Sequence, residues 1–187
     1  MKKRAIIVHG WSGNPQEGWF PWLEKELTTA GLEVSAPAMP DADHPKIEPW
    51  VQTLVDTIGT PDANTILIGH SIGAQTILRY LETVSTPIGG AVFVAPWLTL
   101  SLLGSEENWQ IAEPWLDTPI NDEAVRRALP KSAAIFSSND PFVPLENVVW
   151  FAERFGCKTT VLNDLGHMGG DDGVTSLPIV LETVKSW

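Results

Sequence analysis

The sequence predicts a three-layer α/β fold with a mostly parallel sheet of about six strands. Short, largely apolar runs at Ala5–Val8, Thr65–Ile68, Gly89–Ala95 and Ser132–Ser137 alternate with stretches of helical periodicity. Strands apolar on both faces belong inside a parallel sheet covered by helices. The alternation itself requires crossover connections, which place successive strands parallel. In addition, the turns after several runs carry Gly, Ser, Asp and His. Sheets of this class build their sites at the carboxyl ends of the strands.

The elements follow in order. Ala5–Val8 is the first strand and ends in His9-Gly10-Trp11-Ser12-Gly13. Trp19–Ala30 is an amphipathic helix, with Trp19, Trp22, Leu23 and Leu27 at near-helical spacing, and Gly31 stops it. Leu32–Ala36 is a second strand. Positions 37–45 read as turn chemistry, and His44, without a second His or Cys at ligand spacing, reads as a surface residue. Ile47–Ile58 is a helix with Trp50, Leu54 and Ile58 on one face. Strand Thr65–Ile68 meets Gly69-His70-Ser71-Ile72-Gly73, and a helix runs from Ile72 to about Val84. Gly89–Ala95 is the next strand.

From about 97 to 130 the chain is less regular and rich in Trp and Leu. Such a segment either forms a short lid over the site or fills the core, the commoner fate of Trp. Asn121–Leu129 within it reads as a short helix. Ser132–Ser137 is a strand followed by Ser138-Asn139-Asp140-Pro141, and Pro144–Phe155 is helical. Lys158–Leu162 is the sixth strand, followed by a loop containing Gly166-His167. The last helix covers about Thr175–Trp187, with Pro178 tolerated in its first turn. No repeat, linker or low-complexity stretch divides residues 1–187, so one domain is expected.

Composition narrows the function classes. A net charge of -11 argues against nucleic acid and anionic membranes as partners, since both demand a basic surface. The single cysteine, Cys157, rules out an internal disulfide and fits a reducing compartment. It sits where a small buried hydrophobe is expected. Met1-Lys2-Lys3-Arg4 resembles the start of a signal peptide, but the apolar run behind it is too short for one. No stretch is long enough to span a bilayer. The expectation is a cytoplasmic protein whose partner is a small molecule, with no cofactor and no metal.

Gly69-His70-Ser71-Ile72-Gly73 fits the G-x-S-x-G nucleophile elbow in its required setting, strand before and helix after. Ser71 must then sit on a strained turn with its hydroxyl exposed, and the two glycines lie where a Cβ would clash. The Ile72 amide faces the place where an oxyanion forms, aided by the positive end of the following helix. The His9-Gly10-Trp11 turn is the natural source of a second oxyanion donor, the Trp11 N–H; a plain strand-to-helix turn is the alternative.

A serine hydroxyl needs a base to take its proton, and imidazole can do so near neutral pH. His167 is the candidate base, and Asp140 the candidate acid that orients it. Ser71, Asp140 and His167 each follow a predicted strand, so all three belong to one edge of the sheet. Asp164, Asp171 and Asp172 are the alternative acids; Asp164 is too near His167 along the chain to fold back easily. His70 is expected to pack, because a sharp elbow directs consecutive side chains apart.

These stretches resemble the small serine hydrolases related to retinoblastoma-binding protein 9 and the bacterial YdeN proteins. The similarity lies in His9-Gly10-Trp11, Gly69-His70-Ser71-Ile72-Gly73-Ala74, Arg79-Tyr80-Leu81-Glu82, Asn139-Asp140-Pro141-Phe142-Val143-Pro144 and Gly166-His167. It implies a compact α/β-hydrolase fold with Ser71, Asp140 and His167 as the triad. The Leu-x-Cys-x-Glu motif tied to retinoblastoma binding is absent, since Cys157 lies in Phe155-Gly156-Cys157-Lys158-Thr159. The expected function is cleavage of a small acyl ester, thioester or amide through an acyl-enzyme. The alternative is a weakly catalytic protein of the same fold that acts as a protein-binding module.

Overall fold

The computed structural model describes residues 2–187. Six strands form one sheet in the order β2-β1-β3-β4-β5-β6. They are β1 (Arg4–Val8), β2 (Glu33–Ser35), β3 (Thr65–His70), β4 (Gly90–Val94), β5 (Ser132–Ser137) and β6 (Lys158–Leu162). Every neighbouring pair is parallel. The helices are α1 (Phe20–Thr29), α2 (Ile47–Ile58), α3 (Ile72–Thr83), α4 (Glu106–Asp117), α5 (Asp122–Ala128), α6 (Glu146–Phe155) and α7 (Pro178–Lys185).

The alternation of side chains along each strand sorts the core into two layers. Ile6, Val8, Leu67, Phe93, Ala134 and Phe136 face a cluster shared with α2, α3, α5 and α6. Ala5, Ile7, Ile66, Ile68, Val92, Val94 and Ile135 face the opposite cluster, shared with α1 and α7. This is the period-2 pattern of a sheet buried on both sides. Every residue of β3 is buried, whereas the edge strands β2 and β6 keep exposed positions. All strands run in one direction, so the turns after β1, β3, β5 and β6 gather at one edge.

The 97–130 segment departs from the sequence reading in one respect. It contains a 12-residue helix, α4, where the sequence pattern predicts less regular chain. Pro114 lies inside this helix and hides it from a periodicity reading, because proline removes an N–H and crowds the preceding turn. The start is well signalled: the Ser105 side chain accepts from the Asn108 N–H, and Glu106 and Glu107 occupy the first turn. The tryptophans divide. Trp97 and Trp115 are buried in the core, and Trp109 is exposed. Cys157 is buried, and burial pushes its thiol up to about 11. No helix among the described residues is long and apolar enough to cross a membrane.

Candidate active site

Ser71 is the residue between β3 and α3, with φ 54 and ψ -120. A non-glycine residue at that φ is strained and persists only where its surroundings over-determine it. The flanking glycines show how. A Cβ on Gly69 would lie 2.7 Å from the backbone of Gly73 and Ala74. One on Gly73 would lie 2.5 Å from the Val8 carbonyl oxygen and 2.6 Å from that of His9. Only bare backbone lets α3 start this close to β1 and β3. The Ser71 N–H donates to the Val94 carbonyl at 2.9 Å and ties the turn to β4.

Three candidate residues from distant parts of the chain meet here. The His167 Nε2 lies 2.8 Å from Ser71 Oγ, and His167 Nδ1 lies 2.8 Å from Asp140 Oδ2. The Asp140 side chain is 2% exposed. Its other oxygen accepts the Phe142 and Val143 N–H groups at 2.9 and 3.0 Å. An ionised carboxylate only accepts, so Nδ1 of His167 carries the proton and Nε2 is free to accept from the Ser71 hydroxyl. Asp164, the alternative acid, is exposed and makes its contact through its backbone N–H to Ser138 Oγ. Asp172 accepts the Gly169 N–H at 3.0 Å.

Ile72 is the first residue of α3, so its N–H has no acceptor inside the helix. The Trp11 N–H makes no hydrogen bond among the described residues. The turn that carries it is held on all sides. The Ser12 N–H donates to the Ala42 carbonyl, and the Trp11 indole to the Asp43 carbonyl. His9 is buried beneath it and accepts the Met39 N–H at Nε2, which leaves its Nδ1–H to donate to Gly10. Burial lowers the pKa of His9. His44 lies on the surface beside Asp41.

The site opens into a cleft of about 590 Å³. Apolar side chains line it, among them Trp19, Phe20, Trp97, Leu100, Leu103 and Phe142, together with the carboxylates of Glu17, Asp171 and Asp172. No Lys or Arg among the described residues lines it.

Sequence reasoning assigned His70 to packing alone. It is indeed buried, at 6% exposed, but its Nε2 also lies 2.8 Å from the carbonyl oxygen of His167. Asn139 enters the sequence reading only within the Asp140 stretch, without a role of its own, and Asn147 does not enter it. Asn139 Oδ1 accepts the Gly166 N–H just before His167. Asn147, fully buried, accepts the Leu98 and Thr99 N–H groups and donates to Thr99 and Pro144, joining the base of the 97–130 segment to the Asp140 loop. An asparagine at the start of a helix gives no signal in sequence that its partners lie some 48 residues away.

Comparison with known proteins places this geometry. A family model described as serine hydrolase matches residues 5–186. The chain is 29% identical to the putative hydrolase YdeN of Bacillus subtilis, over 100% of this chain and 97% of that protein. It is 30% identical to the rat serine hydrolase RBBP9, over 88% of this chain and 86% of that one. The crystal structure of the B. subtilis ydeN gene product superposes with a TM-score of 0.90, covering 99% and 98% of the two chains.

Proposed function

The chain belongs to the serine hydrolase family, with an α/β-hydrolase fold, and from that premise we propose that it cleaves a small acyl ester, thioester or amide through Ser71, His167 and Asp140. The observation that carries this reading is the unbroken relay from Ser71 Oγ through the His167 ring to Asp140, both links 2.8 Å, on a strained elbow. Alcohols are weak nucleophiles, and a base at hydrogen-bond distance is the usual remedy.

His167 takes the Ser71 proton as Oγ attacks the carbonyl carbon. The Trp11 and Ile72 N–H groups receive the oxyanion, and Asp140 stabilises the imidazolium. Collapse of the tetrahedral species expels the leaving group, protonated by His167, and leaves an acyl-Ser71. Water, activated by the same ring, then releases the acid.

The cleft supports a substrate class. Its apolar lining suits a short, uncharged acyl chain, covered by the 97–130 segment acting as a short lid. Glu17, Asp171 and Asp172 in the lining, with no Lys or Arg beside them among the described residues, disfavour an anionic leaving group, because like charges in a partly enclosed cleft repel. A fluorophosphonate probe tests the nucleophile. Wild-type protein is expected to label, and Ser71→Ala is not; equal labelling of both removes the reading. Turnover of short nitrophenyl esters by Ser71→Ala should fall by about 10⁶-fold, as when a serine nucleophile is removed elsewhere.

A further inference from the structure

We infer that His70 and Trp19 form a two-point clamp on the His167 loop that sets where the imidazole sits, making both positioning residues for the Ser71–His167 pair. The inference rests on the function proposed above. Two buried ring N–H groups, from different elements, grip consecutive carbonyls. His70 Nε2 lies 2.8 Å from the carbonyl oxygen of His167. A carbonyl only accepts, so this nitrogen carries the proton. The Trp19 Nε1–H donates to the carbonyl of Met168 at 2.9 Å. Trp19 is 1% exposed, so no water replaces its acceptor if the loop shifts.

The loop itself shows that it needs holding. Met168 follows His167 directly and has φ 57, a left-handed conformation that a long side chain seldom adopts. Its side chain is fully buried. The amide side of the same loop is tied to the end of β5, where Ser137 Oγ accepts from Leu165 and Asn139 Oδ1 from Gly166. The carbonyls of His167 and Met168 are held by the two rings, while the Leu165 carbonyl accepts the Met168 N–H within the loop. They brace each other edge to face at 6.3 Å, and His70 lies 5.0 Å from the His167 ring, centroid to centroid. Gly10 closes the other side, since a Cβ there would lie 2.9 Å from His70 Nδ1. Burial holds His70 down to about 3, with His167, Asp140 and His9 as the charged or titratable groups around it. His70 therefore stays a neutral donor while His167 gains and loses its proton.

The test compares Trp19→Phe, His70→Leu and His70→Gln in the full chain. Phe keeps most of the Trp19 ring packing without the N–H. Gln keeps an N–H donor at about the reach of His70 Nε2. A displacement of about 1 Å at a reacting group can cost roughly 100-fold. Trp19→Phe and His70→Leu are therefore expected to lower kcat by about 10- to 100-fold with KM within about twofold, and His70→Gln to recover part of the loss. In NMR spectra, the His167 Nδ1 proton that faces Asp140 should be sharp in the wild type and broadened in the first two variants. Thermal unfolding identifies any variant that fails to fold; if His70→Leu fails, the other two carry the comparison. The clamp is overturned if folded Trp19→Phe turns over like the wild type, if the losses fall on KM alone, or if Gln is as poor as Leu. Should the wild type turn over no acyl ester, the proposed function fails, and the Nδ1 resonance alone judges the clamp.

Discussion

Ser71 and His167 meet at 2.8 Å, but the molecule holds them by different means. Ser71 is held by backbone. Its conformation follows from a strand ending, a helix beginning, and two glycines: Gly69 lets α3 start against β3, and Gly73 lets it lie against β1. All of that lies within five consecutive residues. His167 sits five residues beyond β6 on a loop held by side chains from elsewhere: Ser137, Asn139 and Asp140 on one side, Trp19 and His70 on the other. A nucleophile must present one atom at a fixed point, which a rigid turn does well. In the proposed reaction the base must exchange protons, and the His167 backbone is fixed while its ring stays 17% exposed at the cleft.

The largest effect expected on the side-chain-held half comes from Asp140→Asn. The amide presents its NH₂ or its oxygen to Nδ1 without charge, so the tautomer is unfixed and the imidazolium unsupported. Loss of an orienting acid costs about 10⁴-fold in turnover. Steady-state hydrolysis of a nitrophenyl ester, with circular dichroism to confirm the fold, measures it. A loss below about tenfold would mean that another group orients His167.

Gly73→Ala strikes the backbone-held half. The new Cβ must lie within 2.5 to 2.6 Å of two carbonyl oxygens of β1 and the turn after it, atoms that cannot rotate away. Overpacking of this kind costs about 1–3 kcal/mol, and here the upper end is expected. Chemical denaturation reads it directly. An unchanged midpoint would show that the elbow tolerates more than its geometry implies and would weaken the contrast.

The same contrast explains what the sequence made legible. The parallel sheet could be read because its inner strands are apolar on both faces. The elbow could be read because its determinants are contiguous. The order Ser71, Asp140, His167 could be read because each follows a strand. The clamp could not: Trp19 and Met168 are 149 residues apart, and His70 and His167 are 97 apart. Nothing local marks an indole N–H as the partner of a distant carbonyl. Helix α4 was hidden for a local reason, the proline inside it.

A smaller effect concerns acid. Burial lowers the pKa of His70 from its ordinary 6.5 to about 3 in the folded protein. Between those values the unfolded chain binds a proton at this residue that the folded protein does not. The contribution to stability is therefore fully present above pH 6.5 and is lost as pH falls toward 3. The slope for one such group is about 1.4 kcal/mol per pH unit. His70→Gln removes that titration, so its stability should fall less steeply than the wild type's across this window. Denaturation midpoints from pH 7 to pH 4 give the difference, and parallel curves would show that His70 is protonated in the folded state.

The smallest effect is expected at Asp164, three residues from His167 on the same loop. If closeness in sequence decided which carboxylate serves the ring, Asp164 would be the acid. The loop prevents this. Asp164 has φ 56, it is exposed, and its hydrogen bond is through the backbone, from its N–H to Ser138 Oγ just beyond β5. Asparagine tolerates a left-handed φ at least as well as aspartate. Asp164→Asn should therefore leave ester turnover within about twofold and stability within about 0.5 kcal/mol, the range of surface substitutions away from special features. The same nitrophenyl ester assay, run beside Asp140→Asn, checks it. A dead Asp164→Asn enzyme beside an active Asp140→Asn one would reverse the acid assignment and leave Ser71 and His167 in place. It would also break the contrast drawn here, because the base would then be oriented from its own loop and not from the end of β5.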